Sequence, residues 1–268
     1  MLKTEFVALF FGMIGSAIMD IYLQSIILFL TGLVASTYAS VVGGGGLVSF
    51  PVLILLGFPV DVAIGTNRFN AIFMEGSSFI AFARRRLVQW KIAIPIAIVS
   101  VPASIWGARL ALSVSGKTLD ILVAVILSVL LIALPRVKPQ ERPVKDGLSR
   151  GTFLGLGTIC ILLAVYGGFH GAAYGTFILF PFILLGTSSL LQASANARLI
   201  GCLVSIAASV VFIQNGSVNY AAAIPQILGA VIGAQIGVKY ALKHLKWAKY
   251  ALTVVVVASI IKLLFEIV

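Results

Sequence analysis

The chain is built from apolar stretches of about 20 residues that recur along its whole length. A helix of about 20 residues matches the roughly 30 Å hydrocarbon core of a bilayer. Soluble proteins contain about 25% charged residues. Here only 10% of the residues are charged and 60% are hydrophobic. We therefore predict an all-α polytopic membrane protein that forms one membrane domain in the lipid bilayer.

The positive charge of the chain lies mainly in short loops. The formal net charge is +11, and the basic residues concentrate in 84–91, 136–150 and 239–249. Cytoplasmic loops of membrane proteins carry such an excess of Lys and Arg. Aromatic residues do not alternate with the basic ones as in proteins that bind single-stranded nucleic acid. The charge therefore indicates membrane topology, and no nucleic acid partner is expected.

The sequence lacks the local patterns of catalytic and metal sites. Cys160 and Cys202 both lie in apolar segments, where thiols usually serve packing. There is no metal-ligand spacing, no nucleophile elbow and no phosphate-binding loop. We therefore expect no catalytic residue, no metal and no cofactor, and the chain is not expected to be an enzyme.

An internal repeat divides the chain into two halves. Shifting the sequence by 130 residues aligns Arg68 with Arg198 without a gap. The same shift aligns Pro51 with Pro181, Pro95 with Pro225, and Gly107 with Gly237. Matched Pro, Arg and Gly are informative in so apolar a sequence. We assign repeat 1 to about 20–135, a basic cytoplasmic linker to 136–150, and repeat 2 to about 151–266, within a second half that runs to 268.

Each repeat has the same predicted order of elements. A long helix leads into a glycine-rich break, a short apolar helix with a proline follows, and three spans come next. The predicted bounds are 22–42, 47–57, 62–83, 89–112 and 118–135 in repeat 1, and 151–169, 177–186, 190–213, 219–242 and 248–266 in repeat 2. A 12-residue helix is only about 18 Å long, so the short helix should be re-entrant or broken.

The loop charges assign opposite orientations to the two repeats. The loop 84–91 has four basic residues, whereas its counterpart 214–220 has no charge. Conversely, 239–249 is strongly basic, whereas 109–119 has only Arg109 and Lys117. Inverted-topology repeats with broken helices are typical of secondary transporters, which bind substrate between the repeats. We predict this architecture.

The first residues have no counterpart in the second half. Residues 1–19 contain Lys3, an apolar run and small residues, and we treat them as a hydrophobic N-terminal extension. A signal-like segment, an extra short helix and a mis-assigned start before Met19 are all compatible with this stretch.

Arg68 and Arg198 are the main candidates for substrate binding. A charge at the centre of a membrane helix costs at least about 2.5–3.5 kcal/mol, so it should face a cavity or a partner. A guanidinium offers a planar set of donors that suits carboxylate, sulfonate or phosphate oxygens. A salt bridge to Glu75 and snorkelling toward a helix end are the structural alternatives. Three uncharged donors stand beside the arginines in "GTNR" and "ANAR", namely Thr66, Asn67 and Asn196.

The glycine breaks are the second candidate constellation. They comprise "GGGG", residues Gly43, Gly44, Gly45 and Gly46, and "GGFHGAAYG" at 167–175, which includes Gly171 and Gly175. Unwound glycine backbone can form an anion-binding nest, and close helix packing is the alternative reading. His170 and Tyr174 lie in the second break as candidate substrate or proton contacts.

Two acids remain. Glu75 lies within a predicted span and is a candidate for proton coupling, with a static counter-charge as the alternative. Asp61 is expected to cap the start of the span that follows "GFPV".

Several of these motifs resemble the signatures of the sulfite exporter TauE/SafE family. "GGGGLVSFPVLILLGFPVDVAIGTNRFNAIF" is similar to its first signature, and "YGGFHGAAYGTF" with "ANARLI" to its second. The resemblance covers about residues 20–266. It adds Gly167 and Gly168 to the motif positions already named. This chain departs from the pattern in having Arg68 and Arg198 where lysine is frequent, and in having Glu75 and His170, which argue for an anion other than simple sulfite.

The resemblance implies an inner-membrane secondary transporter. We expect export of a small organosulfur or sulfur-oxide anion, such as sulfite, sulfoacetate or a similar sulfonate, by alternating access driven by membrane potential or protons. Transport or import of another organic anion, such as a carboxylate, stays open. A membrane-embedded enzyme or scaffold subunit is the alternative from another class. The sequence leaves both a monomer and a homodimer open.

Overall fold

A computed structural model gives the arrangement of the helices. It describes residues 21–40, 43–114, 118–119, 121–122, 125, 149–185 and 188–240. The N-terminal extension, nearly all of the predicted span 118–135, most of the linker and the predicted span 248–266 lie outside the described residues. Those assignments stay predictions.

The described part of the chain is helical and contains no strand. Its helices are α1 (Ile21–Ser40), α2 (Gly46–Leu55), α3 (Val60–Arg84), α4 (Trp90–Ser113), α5 (Arg150–Phe169), α6 (Tyr174–Leu184), α7 (Leu190–Gln214) and α8 (Tyr220–Tyr240). The predicted helix type is confirmed for every described element, and the bounds agree within about three residues.

Five of these helices are long and apolar enough to cross a membrane, namely α1, α4, α5, α7 and α8. Helix α3 has 25 residues, which is also sufficient length, but its polar and charged side chains lower its hydropathy. Helices α2 and α6 have 10 and 11 residues. At 1.5 Å per residue they are about 15 Å and 17 Å long, which is half of a bilayer core.

Local signals explain where the helices begin. Both short helices follow left-handed backbone, with φ of +79° at Gly43 and +60° at Ala173. Helix α7 begins with a capping box in which Ser189 and Gln192 bond to each other's backbone N–H groups. The expectation that Asp61 caps α3 is wrong. Pro59 occupies the N-cap, and Asp61 in the first turn accepts a hydrogen bond from Ser217 Oγ at 3.2 Å.

The two halves are interleaved, because the principal helix contacts join an element of one half to an element of the other. Helices α3 and α7 pack together, and so do α4 with α7, α3 with α8, α4 with α5, and α1 with α8. Glycines permit the last two contacts. A Cβ at Gly107 of α4 would meet the carbonyl oxygen of Val165 in α5, and one at Gly229 of α8 would meet that of Phe29 in α1. Small residues allow such close approach of membrane helices.

Candidate functional site

Helices α3 and α7 cross at residues that are 130 positions apart, which is the offset of the predicted repeat. Cys202 Sγ lies 3.7 Å from the carbonyl oxygen of Ile72, and these two positions are 130 residues apart. A Cβ on Gly76 would lie 3.5 Å from the same sulfur, and a Cβ on Gly201 would lie 3.1 Å from Glu75 Cδ. The glycines therefore let the helices approach closely, and this approach brings their charged side chains together.

Arg198 of α7 pairs with Glu75 of α3. Arg198 Nη1 lies 2.7 Å from Glu75 Oε2, and the two side chains are 0% and 7% exposed. The contact is an ion pair by distance, not an aligned hydrogen bond. Arg198 Nη2 also donates to the carbonyl oxygen of Gly175 at 3.2 Å. The structural alternative of an Arg68–Glu75 salt bridge is not observed among the described residues, because Glu75 pairs across the two halves instead.

Arg68 has only backbone partners in the described part of the chain. Its Nη1 donates to the carbonyl oxygen of Gly167 at 3.3 Å, and its Nη2 donates to that of Gly171 at 3.1 Å. The side chain is buried, and its Nε has no partner among the described residues. Gly171 has a φ of +70°, and a Cβ there would collide with the guanidinium. Glycine is therefore required for this contact.

The buried charges do not balance. Within the described ranges, the buried residues that carry a formal charge at neutral pH are Arg68, Glu75 and Arg198. Two guanidinium groups thus face one carboxylate. Since arginine stays protonated in proteins, one positive charge is left without an anionic side chain.

The two glycine breaks meet beside these arginines. A Cβ on Gly43 would run into the backbone of Gly175 and Thr176, and a Cβ on Gly44 would lie 2.9 Å from Thr176 Oγ1. A Cβ on Gly46 would lie 3.2 Å from Ala172 Cα. The N-terminal ends of α2 and α6 are therefore in contact. Helix N-termini carry partial positive charge and free N–H groups.

Thr66 and Asn196 are 130 positions apart, and the side-chain oxygen of each accepts a hydrogen bond from the backbone of a loop. Thr66 Oγ1 accepts a hydrogen bond from the backbone N–H of Asn219 at 2.9 Å, and Asn196 Oδ1 accepts one from that of Gln89 at 2.8 Å. Gln89 and Asn219 are themselves equivalent. Asn196 Nδ2 donates to Gln89 Oε1 at 2.7 Å, and the same oxygen accepts a hydrogen bond from Ser188 Oγ. These contacts anchor the starts of α4 and α8.

Asn67 is placed differently. Its Oδ1 accepts a hydrogen bond from Ser49 Oγ at 2.5 Å. Its Nδ2 has no partner among the described residues, and it would lie 3.1 Å from a Cβ on Gly46. This amide is therefore a free donor that borders the first glycine break.

His170 and Tyr174 lie in the second break and are buried. The His170 ring packs edge-on against Phe50, with centroids 4.6 Å apart, and neither of its nitrogens has a partner in the described part. The Tyr174 hydroxyl likewise lacks a partner there, and its ring lies against Gly167. His170 and Glu75 share no contact among those that the described residues make, so they do not form an acid–base pair.

Sequence reasoning identified Thr66, Asn67 and Asn196 but missed three other uncharged polar residues of the interior, namely Tyr166, Asn70 and Gln226. Tyr166 donates to the carbonyl oxygen of Ala172 at 2.6 Å and closes the second break. Asn70 and Gln226 are fully buried. A carboxamide inside an otherwise apolar span is the signal that could have identified the last two.

Comparison with known proteins places the chain in a family. The sequence profile of the family described as sulfite exporter TauE/SafE matches residues 28–263. The chain is 34% identical over 244 residues to the probable membrane transporter protein ORF9 of Sinorhizobium sp., covering 89% of this chain and 92% of that one. It is 28% identical over 250 residues to the probable membrane transporter protein YfcA of Escherichia coli strain K12, covering 90% and 89%.

A third relative is the probable membrane transporter protein of Haemophilus influenzae, which is 28% identical over 217 residues, covering 80% of this chain and 83% of that one. No solved structure matches the chain. The family and these relatives are described as membrane transporters, not as enzymes. The chain is therefore a multi-pass membrane protein that belongs to the sulfite exporter TauE/SafE family of transporters.

Proposed function

We propose that this transporter moves a small anion and that Arg68 is the main residue that binds this anion. The observation that carries the proposal is the charge imbalance of the buried site. Glu75 lies 2.7 Å from Arg198 and compensates its charge, whereas among the described residues Arg68 is bonded only to the carbonyl oxygens of Gly167 and Gly171. A buried charge without a counter-ion is costly, so an anion that reaches Arg68 gains binding free energy.

The surroundings of Arg68 suit an oxyanion. The guanidinium presents a fork of N–H donors, and the Asn67 amide nitrogen is unpartnered among the described residues. The touching N-terminal ends of α2 and α6 add partial positive charge. In this proposal Gly43, Gly44, Gly45 and Gly46 with Gly171 and Gly175 form the backbone of the site, and His170 and Tyr174 line it.

Arg198, Asn196 and Thr66 have supporting roles in this proposal. Arg198 is held by Glu75 and by the carbonyl oxygen of Gly175. Thr66 and Asn196 accept hydrogen bonds from loop backbones, which occupies their oxygen atoms. These residues therefore shape the site, and their substitution should change stability more than affinity.

The transport mechanism that we propose is alternating access between inverted-topology repeats, with α2 and α6 as re-entrant helices. Three observations support it. Helices α2 and α6 reach half of a bilayer core; the loops 84–91 and 239–249 are basic whereas their counterparts 214–220 and 109–119 carry little or no charge; and helix contacts join each half to the other. The membrane potential favours export, because an inside-negative potential makes outward movement of an anion more favourable by about 2.3 kcal/mol per charge at 100 mV.

Glu75 serves as a fixed counter-ion in this proposal, and proton coupling through Glu75 is the competing role. If Glu75 is a fixed counter-ion, the anion flux should depend on the membrane potential and should not depend on a proton gradient. Proteoliposomes with an imposed potential, an imposed pH gradient, or both separate the two roles. Flux driven by the pH gradient in the wild type and lost in Glu75→Gln would establish the coupling role.

The substrate class that we propose is sulfite, sulfoacetate or a similar sulfonate, and the alternative is a carboxylate. The test measures affinity and proteoliposome flux for sulfite, sulfoacetate, ethanesulfonate and acetate. Arg68→Gln should weaken binding of the preferred anion at least about ten-fold, because a charge-assisted hydrogen-bonded pair is lost. The matched double variant Glu75→Gln with Arg198→Gln deletes a neutral pair and should keep affinity within a few-fold.

The opposite result would be an unchanged anion affinity in Arg68→Gln and a loss of binding in the folded double variant. It would show that the anion binds at Arg198 and not at Arg68. Transport of cationic or uncharged solutes alone would reject the anion proposal altogether.

A further inference from the structure

A second group of buried polar side chains adjoins the glycine break of the first half. It comprises Ser36 on α1, Asn67 and Asn70 on α3, and Gln226 on α8, and we call it the amide cluster. Each of these side chains is 0% or 1% exposed. Six of their polar atoms have no partner among the described residues, namely Ser36 Oγ, Asn67 Nδ2 and both amide atoms of Asn70 and of Gln226.

The position of Asn70 follows from its neighbours on α3. Asn67 and Met74 lie one turn before and one turn after it, on the same face of the helix. Asn67 Nδ2 would lie 3.1 Å from a Cβ on Gly46, and Met74 Sδ would lie 2.5 Å from a Cβ on Gly45. This face of α3 therefore borders the first glycine break, and Asn70 lies in its middle.

The neighbours of Gln226 on α8 place it at a similar level beside α3. Ala230, one turn further along α8, packs with Ala71 and Met74 of α3. Helices α3 and α8 run in the same direction, because Asn219 contacts Thr66 and Val231 contacts Ser77. Gln226 therefore lies at the level of Asn70.

Ser36 completes the cluster from α1. Ser40, one turn further along α1, lies 3.1 Å from Ser78 of α3, oxygen to oxygen. Residues i and i+4 of a helix share a face, so we infer that Ser36 lies on the face of α1 that packs against α3 near Met74. Ala39, which packs with Met74 in the core, supports this placement.

The fold does not require these polar groups. At the equivalent places of the other half stand Tyr166, Ala197, Ile200 and Ile96. The last three are apolar, and the Tyr166 hydroxyl is already bonded to the carbonyl oxygen of Ala172. One half thus packs the same junction with apolar side chains, whereas the other buries amides that have no partner among the described residues, which costs free energy. A cost that packing does not require indicates a ligand.

The cluster is joined to Arg68 through the two breaks. A Cβ on Gly46 would lie 3.1 Å from Asn67 Nδ2 and 3.5 Å from the carbonyl oxygen of Gly171. That same oxygen accepts the hydrogen bond from Arg68 Nη2. Asn67 therefore links the guanidinium to Asn70, which lies about 4.5 Å further along the helix axis.

We propose that the amide cluster binds an uncharged hydrogen-bonding group carried by the same molecule whose anionic group binds Arg68. The cluster offers both donors and acceptors and no charged side chain, so it suits a hydroxyl or a carboxamide. The substrate is then an organic anion with a neutral polar substituent, and a bare inorganic oxyanion fills only half of the site. This inference rests on the proposed anion function.

The test uses pairs of anions that differ by one hydroxyl: ethanesulfonate with 2-hydroxyethanesulfonate, and propionate with 3-hydroxypropionate. Affinity is measured on the purified full chain, and flux in proteoliposomes. The wild type should bind the hydroxylated member of the preferred pair about five-fold or more tightly, as one or two net hydrogen bonds provide.

The informative variant combines Asn70→Ile with Gln226→Ile, which are the residues at the equivalent places of the other half. It should lose the preference while binding the unsubstituted anion within about two-fold of wild type. Ser36→Ala should lower the preference by a smaller factor and guards against misfolding of the double variant. The control is Ser100→Ala, a buried serine whose hydroxyl bonds to Ile96 in its own helix at 2.7 Å, and it should change neither affinity.

Two results would overturn the inference. The first is that the wild type binds both members of each pair with equal affinity. The second is that the variants bind both members equally more weakly, in which case the cluster is a water site or a packing feature. Failure of the proposed function is distinct, because Arg68→Gln would then leave the affinity for every anion unchanged.

Discussion

Arg198 and Glu75 form an ion pair of 2.7 Å that joins the two halves of the transporter, while Arg68, the counterpart of Arg198, has no acidic partner among the described residues. The two arginines are equivalent in sequence and different in electrostatic environment.

Removing one member of the ion pair should destabilise the protein more than removing both. Glu75→Gln leaves two uncompensated guanidinium groups in the interior, and loss of one partner of a buried pair costs about 3–5 kcal/mol. Glu75→Gln with Arg198→Gln should recover part of this loss. Thermal unfolding of the four proteins in detergent gives the double-mutant cycle. Strictly additive effects would show that the two residues do not interact.

Gly171→Ala should displace Arg68 and weaken anion binding. The new Cβ would collide with the guanidinium, in addition to the strain of a φ of +70°. The matched control is Gly216→Ala, where φ is +73° and nothing lies within 4 Å of the Cβ. Both variants should lose about 1–2 kcal/mol from backbone strain. Titration with the preferred anion should show about ten-fold weaker binding for Gly171→Ala alone, and equal affinities would remove Arg68 from the site.

Gly107→Ala should separate α4 from α5. Its Cβ would meet the carbonyl oxygen of Val165, so the helices must move apart, at a cost of about 1–3 kcal/mol. Gly157→Ala on α5 is the control, since nothing lies within 4 Å of that Cβ and alanine is the better helix former. Melting curves should therefore show a loss for Gly107→Ala and no loss for Gly157→Ala. Equal melting temperatures would contradict the close α4–α5 contact.

Thr66→Val should lower stability and leave anion affinity unchanged. The substitution keeps the shape of the side chain but removes the acceptor of the part-buried Asn219 N–H, so the loss should lie toward the lower end of the about 1–3 kcal/mol that an unsatisfied buried donor costs. Thr158→Val is the control, because Thr158 is exposed and its hydroxyl bonds only to Leu154 in its own helix. A loss of anion affinity in Thr66→Val without a loss of stability would show that Thr66 binds the anion directly.

Helix positions were predictable from the sequence because their signals are local. Apolar length, the glycine runs and Pro51 with its mate Pro181 define α2, α6 and the spans around them. Asp61 is the exception. Its type and place suited a helix cap, but Pro59 took the N-cap, and the partner of Asp61, Ser217, lies 156 residues away.

The shared part of the candidate site was equally visible in the sequence. A charge in an apolar span identified Arg68, Arg198 and Glu75 as residues of interest, and the offset of 130 residues paired the two arginines. Their partners were not visible. The sequence places Glu75 on the helix of Arg68, so a pairing within that helix was the structural alternative to anion binding, but Glu75 pairs with Arg198 of the other half.

The sequence by itself therefore determined that the chain is a helical membrane protein, where its described helices lie to within about three residues, and which buried charges need a partner. The tertiary structure decided that Glu75 pairs with Arg198 and that Arg68 has no acidic partner among the described residues, and it buried Ser36, Asn70 and Gln226 with polar atoms that have no partner among those residues. The physical reason is that hydrophobicity and backbone preference act over a few neighbouring residues, whereas charge pairing depends on a crossing of α3 and α7 that joins residues far apart in the chain.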